Sequence, residues 1–312
     1  MRTLISVLLA SSLMAAYQAP PGEGEPPDVN VRGGGEGRTR HLDLSTDTIK
    51  ISGSKGGEGD GYRIKRPCWY EPAGNAEEMF KKISDPRGNR TQADTDRFRE
   101  FIQPFKDKLG QEGLWWVPAY NKADPNGAAC WAGLELFVFA PPNTTPPSGI
   151  TLEQLAEVAR AALTVPKPTI KLNPDAKSYV NLPTWVWLDG VGEPTRTVTA
   201  SIPGVMSVTL VATLKEIKID PGTSQDRAEV TESGCGAAGR PFTKSGTFSC
   251  GVRYLHSSID QPGEKYTLTV STVWPVEVAD NAVPVQFAPV EVSATRDVPV
   301  GEIQSNVTPP AN

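Results

Sequence analysis

The chain has 312 residues, a formal net charge of −5, 38% apolar residues and 21% charged residues. This length allows about two domains of ~100–200 residues each. Both fractions lie below the globular averages of ~45–50% and ~25%, and the 29 Gly and 29 Pro residues indicate many turns and an unfolded portion. Because Lys and Arg are scattered without a basic run, the charge pattern argues against a nucleic-acid partner.

The first residues have the pattern of a secretory signal peptide. Arg2 provides a minimal positive region, residues 4–16 are apolar, and small residues surround two alternative cleavage sites, after Ala16 or after Ala19. The apolar stretch is shorter than the ~20 residues that a membrane span requires. We therefore predict a signal peptide over residues 1–16, an exported protein, and no transmembrane segment in the mature chain.

Residues 17–61 are predicted to be a disordered linker. They contain PPGEGEPP, RGGGEG and SGSKGGEGDG, and Ile49 and Ile51 form almost their only aliphatic pair. Such a composition offers too little apolar surface to offset the entropy of ordering the backbone.

Residues 62–190 are predicted to form a disulfide-bonded α+β domain. Helical spacing appears in NAEEMFKKI, in residues 92–109 and in TLEQLAEVARAAL, where Thr151 followed by Gln154 forms a capping box. Strands are predicted for YRIKRPCWYEP, GLWWVPAYN, CWAGLELFVFAPP, PTIKLNP and YVNLPTWVWLD.

The pattern is wholly β over residues 193–300. Seven runs rich in Val, Thr and Ile alternate with PG, DPG, SG and QPG turn signals. Alternation in YTLTV predicts that Tyr266, Leu268 and Val270 are buried while Thr267 and Thr269 face outward. Seven short strands favour a β-sandwich, followed by a flexible tail over residues 301–312.

Four cysteines allow three disulfide pairings. The wide gap between Cys130 and Cys235 favours one bridge in each domain, Cys68–Cys130 and Cys235–Cys250. A zinc site is the alternative, but it needs CxxC-like spacing, which this sequence lacks. We therefore predict two disulfides and no metal.

Two resemblances follow from these motifs. PGEKYTLTV, with Gly263 and Tyr266, together with IDPGT at 219–223, resembles the strand and turn of PKD domains, which are immunoglobulin-like sandwiches. Val252 stands where the family usually has His, and Pro221 interrupts the turn. More broadly, LPTWVWLD, RTVTASIPG and the Cys235–Cys250 loop resemble a family of secreted actinobacterial (Streptomyces-type) proteins of unknown function, some labelled ATP/GTP-binding or enoyl reductase.

The residues do not support those nucleotide labels. Gly234 to Gly239 gives G-x-x-x-x-G, but Arg240 and Pro241 follow where a phosphate-binding loop needs Lys and Ser or Thr. A dinucleotide motif between a strand and a helix is also missing from the sequence. We expect no cofactor.

Catalytic candidates are few. His41 lies in the predicted linker, and His256 beside Ser257 is typical of a solvated turn. Glu135, inside the apolar LELFVF run, is the one acid whose neighbours favour a raised pKa, but an outward-facing strand position accounts for it without a catalytic role. We assign no catalytic residue and predict a non-enzymatic protein.

Trp185 and Trp187 lie two residues apart and therefore on one side of a strand. An exposed pair would bind sugars or a protein partner, whereas the apolar Val186 and Leu188 on the other side favour burial of both faces. The sequence thus predicts an exported, non-catalytic interaction or structural protein of the bacterial cell envelope, an accessory to a surface or secretion assembly. A carbohydrate- or peptidoglycan-binding module and a secreted hydrolase are the alternatives.

Overall fold

The computed structural model describes residues 42–84 and 92–303. The predicted signal peptide, the first part of the predicted linker and most of the predicted tail lie outside these residues. Strands account for 37% of the structure and helices for 18%, so the protein is β-rich and built from several antiparallel sheets. In the described residues, no helix is long and apolar enough to cross a membrane.

The helices and strands follow one another along the whole described chain. The helices are α1 Ala76–Ser84, α2 Gln92–Lys106, α3 Gly127–Ala132 and α4 Leu152–Ala162. The strands are β1 Lys50–Gly53, β2 Cys68–Gly74, β3 Leu114–Tyr120, β4 Val138–Ala140, β5 Thr169–Asn173, β6 Ser178–Tyr179, β7 Pro183–Asp189, β8 Thr195–Ile202, β9 Met206–Thr213, β10 Glu216–Asp220, β11 Ala228–Thr231, β12 Gly251–Tyr254, β13 Tyr266–Trp274, β14 Val276–Val278, β15 Val290–Val298 and β16 Val300–Gly301.

The strands form four sheets and one short parallel pair. Sheet 1 has the order β1-β8-β9-β14, sheet 2 the order β5-β7-β12-β11, sheet 3 the order β10-β13-β15, and sheet 4 the order β2-β3-β4. Strands β6 and β16 pair in parallel.

Helix α4 covers sheet 1. Its N-terminus has the predicted cap, because the Thr151 side chain accepts a hydrogen bond from the Gln154 backbone N–H. Leu155, Val158 and Ala159 are buried against β8 and β9. Because these apolar residues recur at helical spacing, they lie on one face of α4, which forms one side of the largest core.

A second core lies between sheets 2 and 3. Leu172 and Val186 from sheet 2 meet Ile217 and Leu268 from sheet 3 in one buried cluster, which makes the arrangement sandwich-like. Along β13, Tyr266, Leu268 and Val270 are buried, while Thr267 is exposed and Thr269 is half-buried. This confirms the burial expected from the alternation in YTLTV.

The two larger cores use strands from both sides of residue 190, where the sequence suggested a domain boundary. Strands β5 and β7 precede residue 190 but lie in sheet 2 with β11 and β12. Strands β8 and β9 follow it but pair with β1 and β14 under α4. The sheets are therefore interleaved along the chain.

Residues 42–61, which the sequence analysis assigned to the linker, contain β1 and contact the rest of the protein. Ile49 is buried, and Arg196 donates hydrogen bonds to the backbone oxygens of Lys55 and Gly56 at 2.8 and 2.7 Å. Asp60 pairs with Arg160, whose side chain is 1% exposed. Partners far along the chain therefore hold a segment that has little apolar surface of its own.

The region 127–140 also differs from its predicted strand. Cys130 and Trp131 lie in helix α3, and only Val138–Ala140 forms strand β4. The indole N–H of Trp131 donates to the Pro118 backbone oxygen at 3.1 Å, which fixes the helix against β3.

Candidate functional site

The described residues contain both predicted disulfides, and no cysteine is free. Cys68 joins the start of β2 to Cys130 in α3, with the Cα atoms 5.8 Å apart. Cys235 joins Cys250 across a loop, with the Cα atoms 4.7 Å apart. We call residues 236–249, between these cysteines, the disulfide loop.

Backbone hydrogen bonds attach the first half of the disulfide loop to β7. Leu188 N–H donates to the Ala238 oxygen at 2.8 Å, and Arg240 N–H donates to the Val186 oxygen at 3.0 Å. Gly239 lies between these bonds at φ +79°, where a Cβ atom would be 2.5 Å from the Trp187 Cα. Glycine is therefore required for this close approach.

Trp185 lies beneath the second half of the disulfide loop. Phe242 and Phe248 meet its ring edge-on, with centroid distances of 5.7 and 5.6 Å. Trp185 is 6% exposed, whereas Trp187 is half-buried beside Gly239. A sugar platform made of both tryptophans needs both rings exposed, and Trp185 does not meet this condition.

The disulfide loop instead exposes Phe242 and two cations. Phe242 is 41% exposed, and Arg240 and Lys244 are exposed two residues to either side of it. The segment from Cys235 to Cys250 contains no Asp or Glu. Among the described residues, neither cation forms an ion pair, in contrast to Arg227 with Asp260 or Arg296 with Asp175. The disulfide loop therefore presents an exposed aromatic side chain with an exposed cation two residues to either side of it.

The two catalytic candidates of the described chain lie in different surroundings. Glu135 is exposed in the loop between α3 and β4 rather than in a strand. His256 is exposed and lines a surface depression of about 280 Å³ together with Arg227, Asp260 and Glu302. Arg227 is bound within the fold, because it donates to the Tyr266 hydroxyl at 3.0 Å and to Asp260 at 2.6 Å.

A buried acid was not predicted from the sequence. Glu71 on β2 is 0% exposed and accepts hydrogen bonds from the Trp69 indole N–H at 2.8 Å and from the Thr46 hydroxyl. Burial raises the pKa of this carboxyl, and the bond from Thr46 opposes the rise. Nothing in the local sequence WYEP indicates that Glu71 is buried, because its burial depends on residues 42–49 folding over strand β2.

The sequence predicted no metal site. Over residues 42–84 and 92–303, no group of three or more His, Cys, Asp or Glu side chains is placed to hold a metal ion.

Comparison with other proteins adds no further constraint on the site. No protein-family model, no characterised protein and no solved structure matches this chain.

Proposed function

We propose that this protein is an exported, non-catalytic interaction protein of the bacterial cell envelope, and that the disulfide loop is its binding surface. The observation that carries the proposal is Phe242, an exposed aromatic side chain held by a loop that is closed by a disulfide and bonded to β7. Aromatic residues, Phe among them, are enriched at the cores of protein interfaces relative to the rest of the surface.

Export is proposed from the N-terminal sequence and from cysteine use. Arg2 followed by the apolar residues 4–16 has the order of a signal peptide. The two disulfides suit an oxidising compartment outside the cytosol. Together with the resemblance to secreted actinobacterial proteins, these features support a location at the cell surface.

We also propose that sheets 2 and 3 form an immunoglobulin- or PKD-like sandwich. Numbered only within these two sheets, the strands have the spatial orders 1-2-5-4 and 3-6-7. This is the ABED and CFG order of constant-type immunoglobulin domains. The β8–β9 hairpin is then an insertion between the second and third strands.

Tyr266 supports the same assignment. Its ring lies at the start of β13, the sixth strand, and its hydroxyl donates toward the backbone oxygens of His256 and Ser257 at 3.2 and 3.0 Å. A tyrosine that bonds back to the preceding turn at this place is the tyrosine corner of immunoglobulin-like folds. The disulfide loop then connects the fourth and fifth strands.

The proposed binding surface is tested with the full chain. Isolated cell envelopes of the producing organism are incubated with the purified protein and with the variant Phe242→Ser, and the bound fraction is measured by sedimentation. We expect the affinity of the variant to fall about fivefold or more, because an exposed aromatic anchor contributes ~1 kcal/mol or more to an interface.

Ile259→Ser is the matched control, since Ile259 is 74% exposed and lies outside the disulfide loop. Ile259→Ser should melt like the unmodified protein, and Phe242→Ser should stay folded with a loss of about 1 kcal/mol from its contact with Trp185. Equal envelope binding by Phe242→Ser and the unmodified protein would refute the disulfide loop as the binding surface.

A further inference from the structure

The charge of the disulfide loop indicates the chemistry of its partner. The whole chain carries a formal charge of −5, whereas the segment from Cys235 to Cys250 carries Arg240 and Lys244 and no acid. We infer that the disulfide loop binds an acidic segment of a protein partner, with carboxylates at the two cations and an apolar side chain against Phe242. This inference rests on the function proposed above.

Both cations are available to a partner. Arg240 has one weak contact, from Nη1 to the Ser249 hydroxyl oxygen at 3.4 Å, and Lys244 is exposed in a turn. Some exposed lysines of the described chain, such as Lys218 and Lys265, have carboxylate partners at 2.5 Å, whereas Arg240 and Lys244 do not. A carboxylate that reaches Arg240 or Lys244 therefore displaces no internal ion pair.

The disulfide loop is held in place before the partner arrives. The Cys235–Cys250 disulfide closes the loop, and the backbone hydrogen bonds donated by Leu188 N–H and Arg240 N–H attach it to β7. Contacts from Phe242 and Phe248 to Trp185 fix its far half. Less conformational entropy is lost on binding when the loop is already ordered, so more of the interaction energy of Arg240, Phe242 and Lys244 contributes to affinity.

An acidic peptide fits this surface better than a polyanionic glycan. A polyanionic glycan also satisfies the cations, but its sugar faces carry hydroxyl groups and cover the exposed ring of Phe242 with less apolar surface than an aliphatic side chain does. A peptide with acidic and apolar residues supplies carboxylates for Arg240 and Lys244 and an aliphatic side chain for Phe242, all within five residues of the disulfide loop. The combination of two cations and one apolar ring therefore favours a protein segment.

The experiment measures binding of the full chain to three probes by NMR titration: a Glu-Leu repeat peptide, a Lys-Leu repeat peptide of equal length, and sulfated dextran. We expect the Glu-Leu peptide to bind about tenfold more tightly than the Lys-Leu peptide. Raising NaCl from about 50 to about 500 mM should weaken binding about threefold or more, because exposed charges are screened.

The double variant Arg240→Gln/Lys244→Gln tests the site itself. It should bind the Glu-Leu peptide about fivefold or more weakly than the unmodified protein. The control pair Lys55→Gln with Lys122→Gln makes the same change in net charge at exposed positions outside the disulfide loop and should leave affinity unchanged. Unchanged binding by the Arg240 and Lys244 pair overturns the inference.

Two further outcomes separate this inference from the proposed function. Binding of sulfated dextran, but not of the Glu-Leu peptide, through Arg240 and Lys244 would overturn the inference in favour of an anionic glycan. If Phe242→Ser loses envelope binding while the Arg240→Gln/Lys244→Gln variant retains it, the disulfide loop remains a binding surface. The inference that its partner is acidic is then refuted. If Phe242→Ser also retains envelope binding, the proposed function itself fails.

Discussion

Replacing Leu268 by Ala should strongly destabilise the protein. Leu268 is 0% exposed and lies between Tyr266 and Val270 on the face of β13 that meets sheet 2. The substitution removes three buried carbon groups, about 2–2.5 kcal/mol of transfer free energy at ~0.8 kcal/mol each. Because both flanking sheets restrict collapse of the site, we expect a total loss of ~2–5 kcal/mol in the free energy of unfolding.

The assay is urea denaturation of the full chain with its disulfides intact, followed by circular dichroism. Thr269→Ala is the matched control, because Thr269 is the next residue on the same strand and is half-buried on the opposite face. Its change should be within about 0.5 kcal/mol. Equal and small losses at both positions would refute the half-buried strand, and with it the core between sheets 2 and 3.

Three further predictions concern the second disulfide, the buried acid and the tyrosine corner. Replacing Cys235 and Cys250 together by Ala should lower the free energy of unfolding by ~3 kcal/mol in urea melts, because their bond closes a loop with a sequence separation of 15; an unchanged midpoint would contradict this. Since burial raises the pKa of Glu71 above its usual 4.5, the folded protein retains this proton more tightly than the unfolded chain, so stability falls as pH rises from 4.5 through the raised pKa. Glu71→Gln should flatten that fall in urea melts across this range, and parallel pH profiles would refute the assignment. Tyr266→Phe should cost ~0.5–1.5 kcal/mol in thermal or urea melts, because it removes hydrogen bonds from the hydroxyl to part-buried backbone oxygens, and a loss below about 0.5 kcal/mol would contradict the corner.

Local sequence patterns predicted the features that depend on neighbouring residues. The Thr151 cap and the burial of Leu268 both follow from spacing along the chain, and the described structure contains each of them. These features were accessible because a helix cap and a half-buried strand are fixed within a few residues.

The assignment of strands to sheets was not accessible in the same way. Strands β8 and β10 both alternate apolar and polar residues, yet β8 pairs with β1 while β10 pairs with β13. Period-2 alternation states which side chains share a face but not which sheet covers them. That residues 42–61 pack against the rest of the protein was not predicted, for a related reason. Their contacts are made with Arg160 and Arg196, which lie 100 residues or more further along the chain.

The candidate site was predicted only in part. The sequence drew attention to Trp185 and Trp187, but it did not show that Phe242 and Phe248 cover Trp185. That contact depends on the disulfide loop folding back onto β7, a non-local event that the Cys235 to Cys250 spacing permits without specifying. Phe242 was therefore absent from the predicted site, although it is the aromatic residue of the loop that is exposed.

The construction of the disulfide loop is the strongest physical reason for treating it as a binding surface. Gly236, Gly239 and Gly246 make this segment costly to order, because glycine loses more backbone entropy than other residues. That cost is offset by the disulfide, by two backbone hydrogen bonds to β7 and by the ring contacts with Trp185. Trp185 packs beneath the loop, and Phe242 is 41% exposed between Arg240 and Lys244 in the sequence, neither of which forms an ion pair with a described residue. A loop that served only to cover Trp185 would bury this ring, so its exposure on an ordered support favours contact with a partner.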